Sequence, residues 1–267
     1  MLQAQNNDIK LIIRSDDIGS SHAANIGCIE SFTDGITTSV ELMPPCPWFF
    51  EAVKMLNENP KLDVGIHLTL TSEWDYIKWR PLTHCPELVD EAGNFFPMVW
   101  KNENYPPDHS IAESDWTIKE IEQELRAQIE LSLKHVPHIS HVSTHMGFGS
   151  LDPKINKLVE NLAKEYGLYV DMSKVKRFSG WDKAKTLETR IDQFCKNLKK
   201  LTPGTYLFVE HPAKDYPEMH PVGHIGNRDV AKQRDMVTQV FTSEKVKKTI
   251  KENGIQLISY ADYKKMQ

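Results

Sequence analysis

A chain of 267 residues with 40% hydrophobic and 26% charged side chains is long enough for one large domain with a real core and too apolar to be disordered. Its net charge of −5 and pI near 6.1 provide no global basic field, which argues against nucleic acid and membrane surfaces as partners. In chain order, "MLQAQNNDIK" lacks the basic, apolar and small-residue order of a secretory signal, so a cytoplasmic location is the expectation. "IKLIIRS" (9–15) reads as a strand, and "SHAANIGCIESFTDG" as a helix ending at Gly35. "ITTSVEL" (36–42) is β-branched and strand-like, "PWFFEAVKMLNEN" has helical spacing, and "LDVGIHLTL" (62–70) is a third strand. Residues 71–114 show no periodicity but carry Trp74, Tyr76, Trp79, Trp100, Tyr105 and several prolines, the composition of an ordered flap inserted over a site mouth. "TIKEIEQELRAQIELSLKH" opens with a Thr117/Glu120 capping box and places apolar residues at 118, 121, 125 and 129. "ISHVSTH" (139–145), "LYVDM" (168–172), "TYLFVEH" (205–211) and "IQLISY" (255–260) complete the strands. "DPKINKLVENLAKEYG" and "TSEKVKKTIKENG" read as helices closed by glycine.

About seven strands alternating with helices predict parallel βα units in a single-domain, TIM-barrel-like α/β fold spanning 1–267, with a doubly wound open sheet as the rival. Four widely separated cysteines without a C-x-x-C pair suit a reducing compartment. No apolar run approaches the ~18 residues of a membrane span. The lysine-rich stretches "DKAK" and "EKVKKTIKE" alternate with acids and read as solvated helix faces.

The polar residues favour the barrel. Asp16 and Asp17, His67, His145 and His211 all fall at or near the C-terminal ends of different strands, which in a barrel converge on one face. Two adjacent aspartates repel, so they need a cation, a shared proton or a helix to cap; alone, the pair fits a metal site and a helix cap equally well. A turn through Gly19 would aim both into the mouth. His67 on its own reads as a core histidine among Val, Ile and Leu. His141 and His145 lie about 13 Å apart along a strand, too far to share one ion, so only one can be a ligand. His145 is nearer the strand's end; His141 is expected lower in the barrel and His138 at the surface. His211, fixed by Pro212, suits proton transfer. One acid and two histidines make an open three-ligand site for metal-assisted hydrolysis, with Asp16 placed to take a proton from water and His211 to protonate the leaving group. No G-x-S-x-G supports a serine hydrolase, and a retaining glycosidase would leave the histidines unexplained.

These residues sit in motifs that resemble one family. "RSDDIGSS" resembles its A-D-D-F-G block, "TTSVELM" its T-S-x-x-L-M stretch and "VGIHLTLT" its G-x-H-L-x-L-T. "RPLTHCPELVDEAGNFF", "HVSTHMG", "VEHPAKD" and the C-terminal "RDMVTQVFTSEKVKKTIKENGIQLISYADY" follow its later motifs in order. The chain is identified by them as similar to the YdjC-like carbohydrate deacetylases, which include chitooligosaccharide deacetylases. The resemblance implies a barrel-like fold, a divalent cation (Mg2+ or Zn2+), and Asp17, His67 and His145 as its ligands. It implies Asp16 as general base and His211 as general acid. Arg80 and Arg234 lie in matching motifs, with Arg234 expected to orient Asp16 or another carboxylate. Trp74 or Trp79 would either stack on a sugar or pack within the flap. The chain departs from the family at Ile18 for an aromatic, Ser143 for aspartate and Ala213 for glycine. The expected activity is removal of N-acetyl groups from amino sugars or short oligosaccharides in carbohydrate metabolism. The alternatives are an inactive carbohydrate-binding protein of the same fold and a metal-dependent hydrolase of another bond. A small carbohydrate is the expected partner, with a homodimer the expected assembly.

Overall fold

The computed structural model describes residues 8–182 and 184–267. Residues 1–7, read above as lacking a leader, and Lys183 of "DKAK" lie outside the described residues. Among the described residues seven strands form one parallel sheet: β1 (Ile9–Ile18), β2 (Ser39–Leu42), β3 (Asp63–Leu68), β4 (Ile139–Thr144), β5 (Lys176–Arg177), β6 (Gly204–Glu210) and β7 (Gln256–Leu257). The order is β4-β3-β2-β1-β6-β5, and β7 pairs with Lys10 and Leu11 on β1, before β2 takes over from Arg14. The sheet curls into a half-barrel, with β4 and β5 as its edges. Among the described residues no helix is long and apolar enough to cross a membrane.

Alternation along the strands sorts their side chains. Leu11 and Ile13 of β1 point outward onto α5 (Leu187–Leu198), α6 (Val230–Thr242) and α7 (Glu244–Glu252), meeting Phe194, Val240 and Ile250. Val40, Leu42, Val64 and Ile66 of β2 and β3 likewise pack under α1 (His22–Thr33), α2 (Phe49–Glu58), α3 (Ile118–His135) and α4 (Pro153–Glu165). Each fully buried branched side chain there stabilises the fold by roughly 1.5–3 kcal/mol. The opposite set, Ile12, Arg14, Ser39, Glu41, Asp63 and His67, faces the hollow of the curl. Its lower part is filled by Tyr260 and Tyr263 of α8 (Tyr260–Lys264), with Ile12 and Ile258.

Several expectations change, among them the strand at 255–260, which pairs only at Gln256–Leu257 before Tyr260 opens a helix. Residues 168–172 are not a strand; Val170 and Met172 pack in the lower filling without a ladder partner, and the fifth strand is the exposed pair Lys176–Arg177 beside Tyr206 and Leu207. Apolar content marked burial there, not pairing. At Thr117 the hydroxyl accepts from the Glu120 N–H as expected, but the Glu120 carboxylate accepts from that same hydroxyl instead of the cap N–H, so half the box forms. Ile121, Leu125 and Ile129 are buried as their spacing predicts, whereas Ile118 is exposed.

Candidate active site

The adjacent aspartates share one side because β1 breaks its own alternation. Its pairing with β2 slips between Ser15 and Ile18, and Asp17 adopts φ +74°, the left-handed region that Asp tolerates better than most residues. The bulge, not the turn at Gly19, turns both carboxylates into the mouth. Neither aspartate caps α1, because Ser21 accepts the Ala24 N–H.

Asp17 meets His67 and His145 there, all three buried. His67 Nε2 and His145 Nδ1 lie 3.7 and 3.5 Å from Asp17 Oδ1. Those gaps are too long for hydrogen bonds, and Asp17 Oδ1 is a buried oxygen without a hydrogen-bond partner. One ligand atom from each residue lies within 4.8 Å of the others. Donors bound to a common ion at about 2.1 Å with tetrahedral angles sit about 3.4 Å apart, so this group fits a small divalent cation.

Each member of the group is held from behind. Arg234 donates to Asp17 Oδ2 at 2.7 Å and lies over the Trp74 ring. His145 Nε2 pairs with Glu73 Oε2 at 3.0 Å, leaving Nδ1 toward Asp17. His67 Nδ1 bonds Ser143 Oγ at 2.7 Å, leaving Nε2 toward the group. Burial brings His67 down to about 4, so its imidazole is neutral and its free nitrogen can ligate. Burial would also lower His145, but Glu73 and Asp17 outweigh it and raise the ring to about 10 when no cation competes. Asp17 is likewise buried, yet Arg234, His211 and His145 hold it well below the usual carboxylate range.

Asp16 lies beside this group, 3.7 Å from His67 Nε2, and is clamped by Arg14 at 2.7 and 2.8 Å. The expectation that Arg234 orients a carboxylate therefore resolves to Asp17, while Arg14 holds Asp16. His211 follows β6 at the rim, its side chain 40% exposed. Burial alone would lower it, but Asp17 and Glu210 raise its pKa above the ordinary histidine value. These residues, with Trp74, Trp181 and Arg190, line a cavity of about 730 Å³. Trp79 and Arg80 do not line it. The Trp79 indole is buried and donates to the Thr71 carbonyl, while the exposed Arg80 guanidinium is spent on Ala92 O and Asn94. His141 sits deeper, as expected, against Glu41, and His138 is half-buried.

Sequence reasoning missed Glu73 and Glu41. Glu73 lies beyond the end of β3 in an irregular stretch, where no alternation rule says which way a side chain points. Glu41 looked like one polar residue in a β-branched strand.

The model of the YdjC-like protein family matches residues 10–252. The chain belongs to the YdjC-like family. Similar curated relatives include a carbohydrate deacetylase of Clostridium beijerinckii, 31% identical over 265 residues, covering 95% of this chain and 100% of that one. Another, from Brevibacillus brevis, is a carbohydrate deacetylase 30% identical over 272 residues, covering 95% and 99%. Among solved structures, this YdjC-like chain is similar to an Enterococcus faecalis V583 protein proposed to cleave cellobiose phosphate. The TM-score is 0.73 at 25% identity, covering 95% of this chain and 98% of that one.

Proposed function

We propose that this YdjC-like protein is a divalent-metal-dependent carbohydrate deacetylase that hydrolyses the N-acetyl group of an amino sugar or short chitooligosaccharide-like chain. The observation that carries the reading is the unpaired, buried Asp17 Oδ1 facing His67 Nε2 and His145 Nδ1 on the floor of the cavity. The names of the curated relatives support the substrate class.

Asp17, His67 and His145 would hold the cation, which when bound supplies a Lewis acid for the acetyl carbonyl and acidifies water. Asp16, fixed by Arg14 next to the ligands, takes the proton of the attacking water. His211, whose pKa Asp17 and Glu210 raise above the ordinary histidine value, delivers a proton to the departing amine nitrogen. Trp181, partly exposed on the cavity wall, offers an apolar surface for a sugar ring, whereas Trp74 is buried against Arg234 and His224. Burial of Asp16 and Asp17 keeps both carboxylates out of bulk water, where their interactions would be screened.

The test is acetate release from N-acetylated chitooligosaccharides, before and after chelation and after metal is restored. Release that EDTA stops and Zn2+ or Mg2+ restores is the expected result. Sugar binding with no acetate released under any metal would favour a binding protein of the same fold and contradict the proposal.

A further inference from the structure

The inner face of the sheet holds a carboxylate that the proposed reaction does not use. Glu41 on β2 is fully buried, one layer below the ligand group. Both its oxygens are engaged. Oε1 lies 2.6 Å from His141 Nε2, and Oε2 accepts from the Ser143 hydroxyl. Because that hydroxyl spends its hydrogen on Glu41, its oxygen is left to accept from His67 Nδ1–H, 2.7 Å away. The chain of bonds therefore runs from His67 through Ser143 to Glu41.

The surrounding residues are shaped around this carboxylate. Gly65 lies on β3 two residues before His67, on the same inner face, and a Cβ there would come within 2.6 and 2.7 Å of the two Glu41 oxygens and 2.5 Å of His141 Nε2. Only a glycine leaves that volume to the Glu41 carboxylate. His141 is stacked flat on Tyr260 with ring centroids 3.9 Å apart, which fixes the partner on the far side. Arg14 Nε stands 4.0 Å from Glu41 Oε1, adding a positive charge to a buried anion.

We propose that Glu41, acting through the Ser143 hydroxyl, is the positioning residue that locks His67 in the tautomer and ring orientation in which Nε2 faces the metal. The proposal rests on the metal-site reading above. A histidine ligand needs its other nitrogen engaged by an acceptor, and a carboxylate at the end of that link makes the imidazole a stronger donor to the ion. Here β4 supplies only a hydroxyl beside His67, so the negative charge comes from the neighbouring strand. Glu41 and Ser143 form a two-residue substitute for one carboxylate in direct contact.

The experiment titrates Zn2+ calorimetrically into chelator-stripped protein: wild type, Glu41→Gln, Ser143→Ala, and the double variant Glu41→Gln/Ser143→Asp. Melting temperatures without metal are recorded for each. Glu41→Gln and Ser143→Ala should each weaken Zn2+ binding by about 10- to 100-fold. The double variant, whose new carboxylate accepts directly from His67, should regain most of that loss; a purely structural role for Glu41 would give no such rescue. If Glu41→Gln does not fold, Ser143→Ala, which keeps the Glu41–His141 pair, carries the test with its own tenfold criterion. Wild-type affinity in either folded single variant, or a double variant no tighter than Glu41→Gln, overturns the proposal. A wild-type protein that takes up no Zn2+ overturns the metal-site reading itself, an outcome distinct from both.

Discussion

Two histidine–carboxylate clusters are stacked inside the half-barrel, and their spacing separates their roles. In the lower one, His141 and Glu41 close to 2.6 Å and both Glu41 oxygens are bonded. In the upper one, His67 and His145 stop 3.7 and 3.5 Å from Asp17 Oδ1, which has no hydrogen-bond partner. Both are buried and both join acids to histidines, so residue type and burial alone do not distinguish them. The lower cluster satisfies itself and can act as a rigid support. The upper one leaves a buried carboxylate oxygen without a hydrogen-bond partner, the place the proposed cation would fill.

The sharpest way to break this contrast is to remove one member from each layer. Asp17→Asn and His145→Ala should abolish Zn2+ uptake and lower acetate release by at least about 10³-fold, consistent with the loss of a metal-activated nucleophile, while circular dichroism without metal still shows a folded protein. Replacing Asp16 with Asn, or His211 with Ala, should cost about 10²- to 10⁴-fold in kcat with metal content unchanged, since each would remove only a proton-transfer group. His141→Ala belongs to the other layer. It strips the buried Glu41 anion of its closest partner, and denaturant unfolding should show a loss of about 3–5 kcal/mol.

Proton release sharpens the comparison further. Without metal, Glu73 and Asp17 overcome burial and keep His145 protonated up to about pH 10. A ligating nitrogen cannot keep its proton, so binding at pH 7 must expel about one, and affinity should rise about tenfold per pH unit from neutrality toward pH 10. Calorimetry in buffers of different ionisation enthalpy reads the released proton directly. The smallest expected effect is at the surface: Arg80→Ala breaks only contacts within its own loop and should leave kcat/KM within about twofold.

The layout of the upper cluster was readable because strand ends are legible. Asp16, His67, His145 and His211 fall at or near strand ends, and convergence of parallel strands does the rest. The lower cluster was not. Ser39 and Glu41 alternate with Val40 and Leu42, but all four are buried, so period-two patterning did not show that Glu41 points into the hollow. Gly65 carries no sequence signal of the carboxylate beside it, which only the folded packing reveals. Asp17's positive φ has no sequence signal beyond the tolerance of Asp for that region, and the Arg80 motif placed an arginine near the site in sequence but outside it in space. Arg14 becomes the clamp because alternation on β1 sets it on the same inner face as Asp16.

The most direct test is a crystal of the protein equilibrated with Zn2+, with data collected on both sides of the zinc absorption edge. The account predicts one strong anomalous peak about 2.1 Å from Asp17 Oδ1, His67 Nε2 and His145 Nδ1, with Asp16 alongside and not bound. A peak elsewhere, or these three side chains turned away from one another in the presence of the metal, would contradict it.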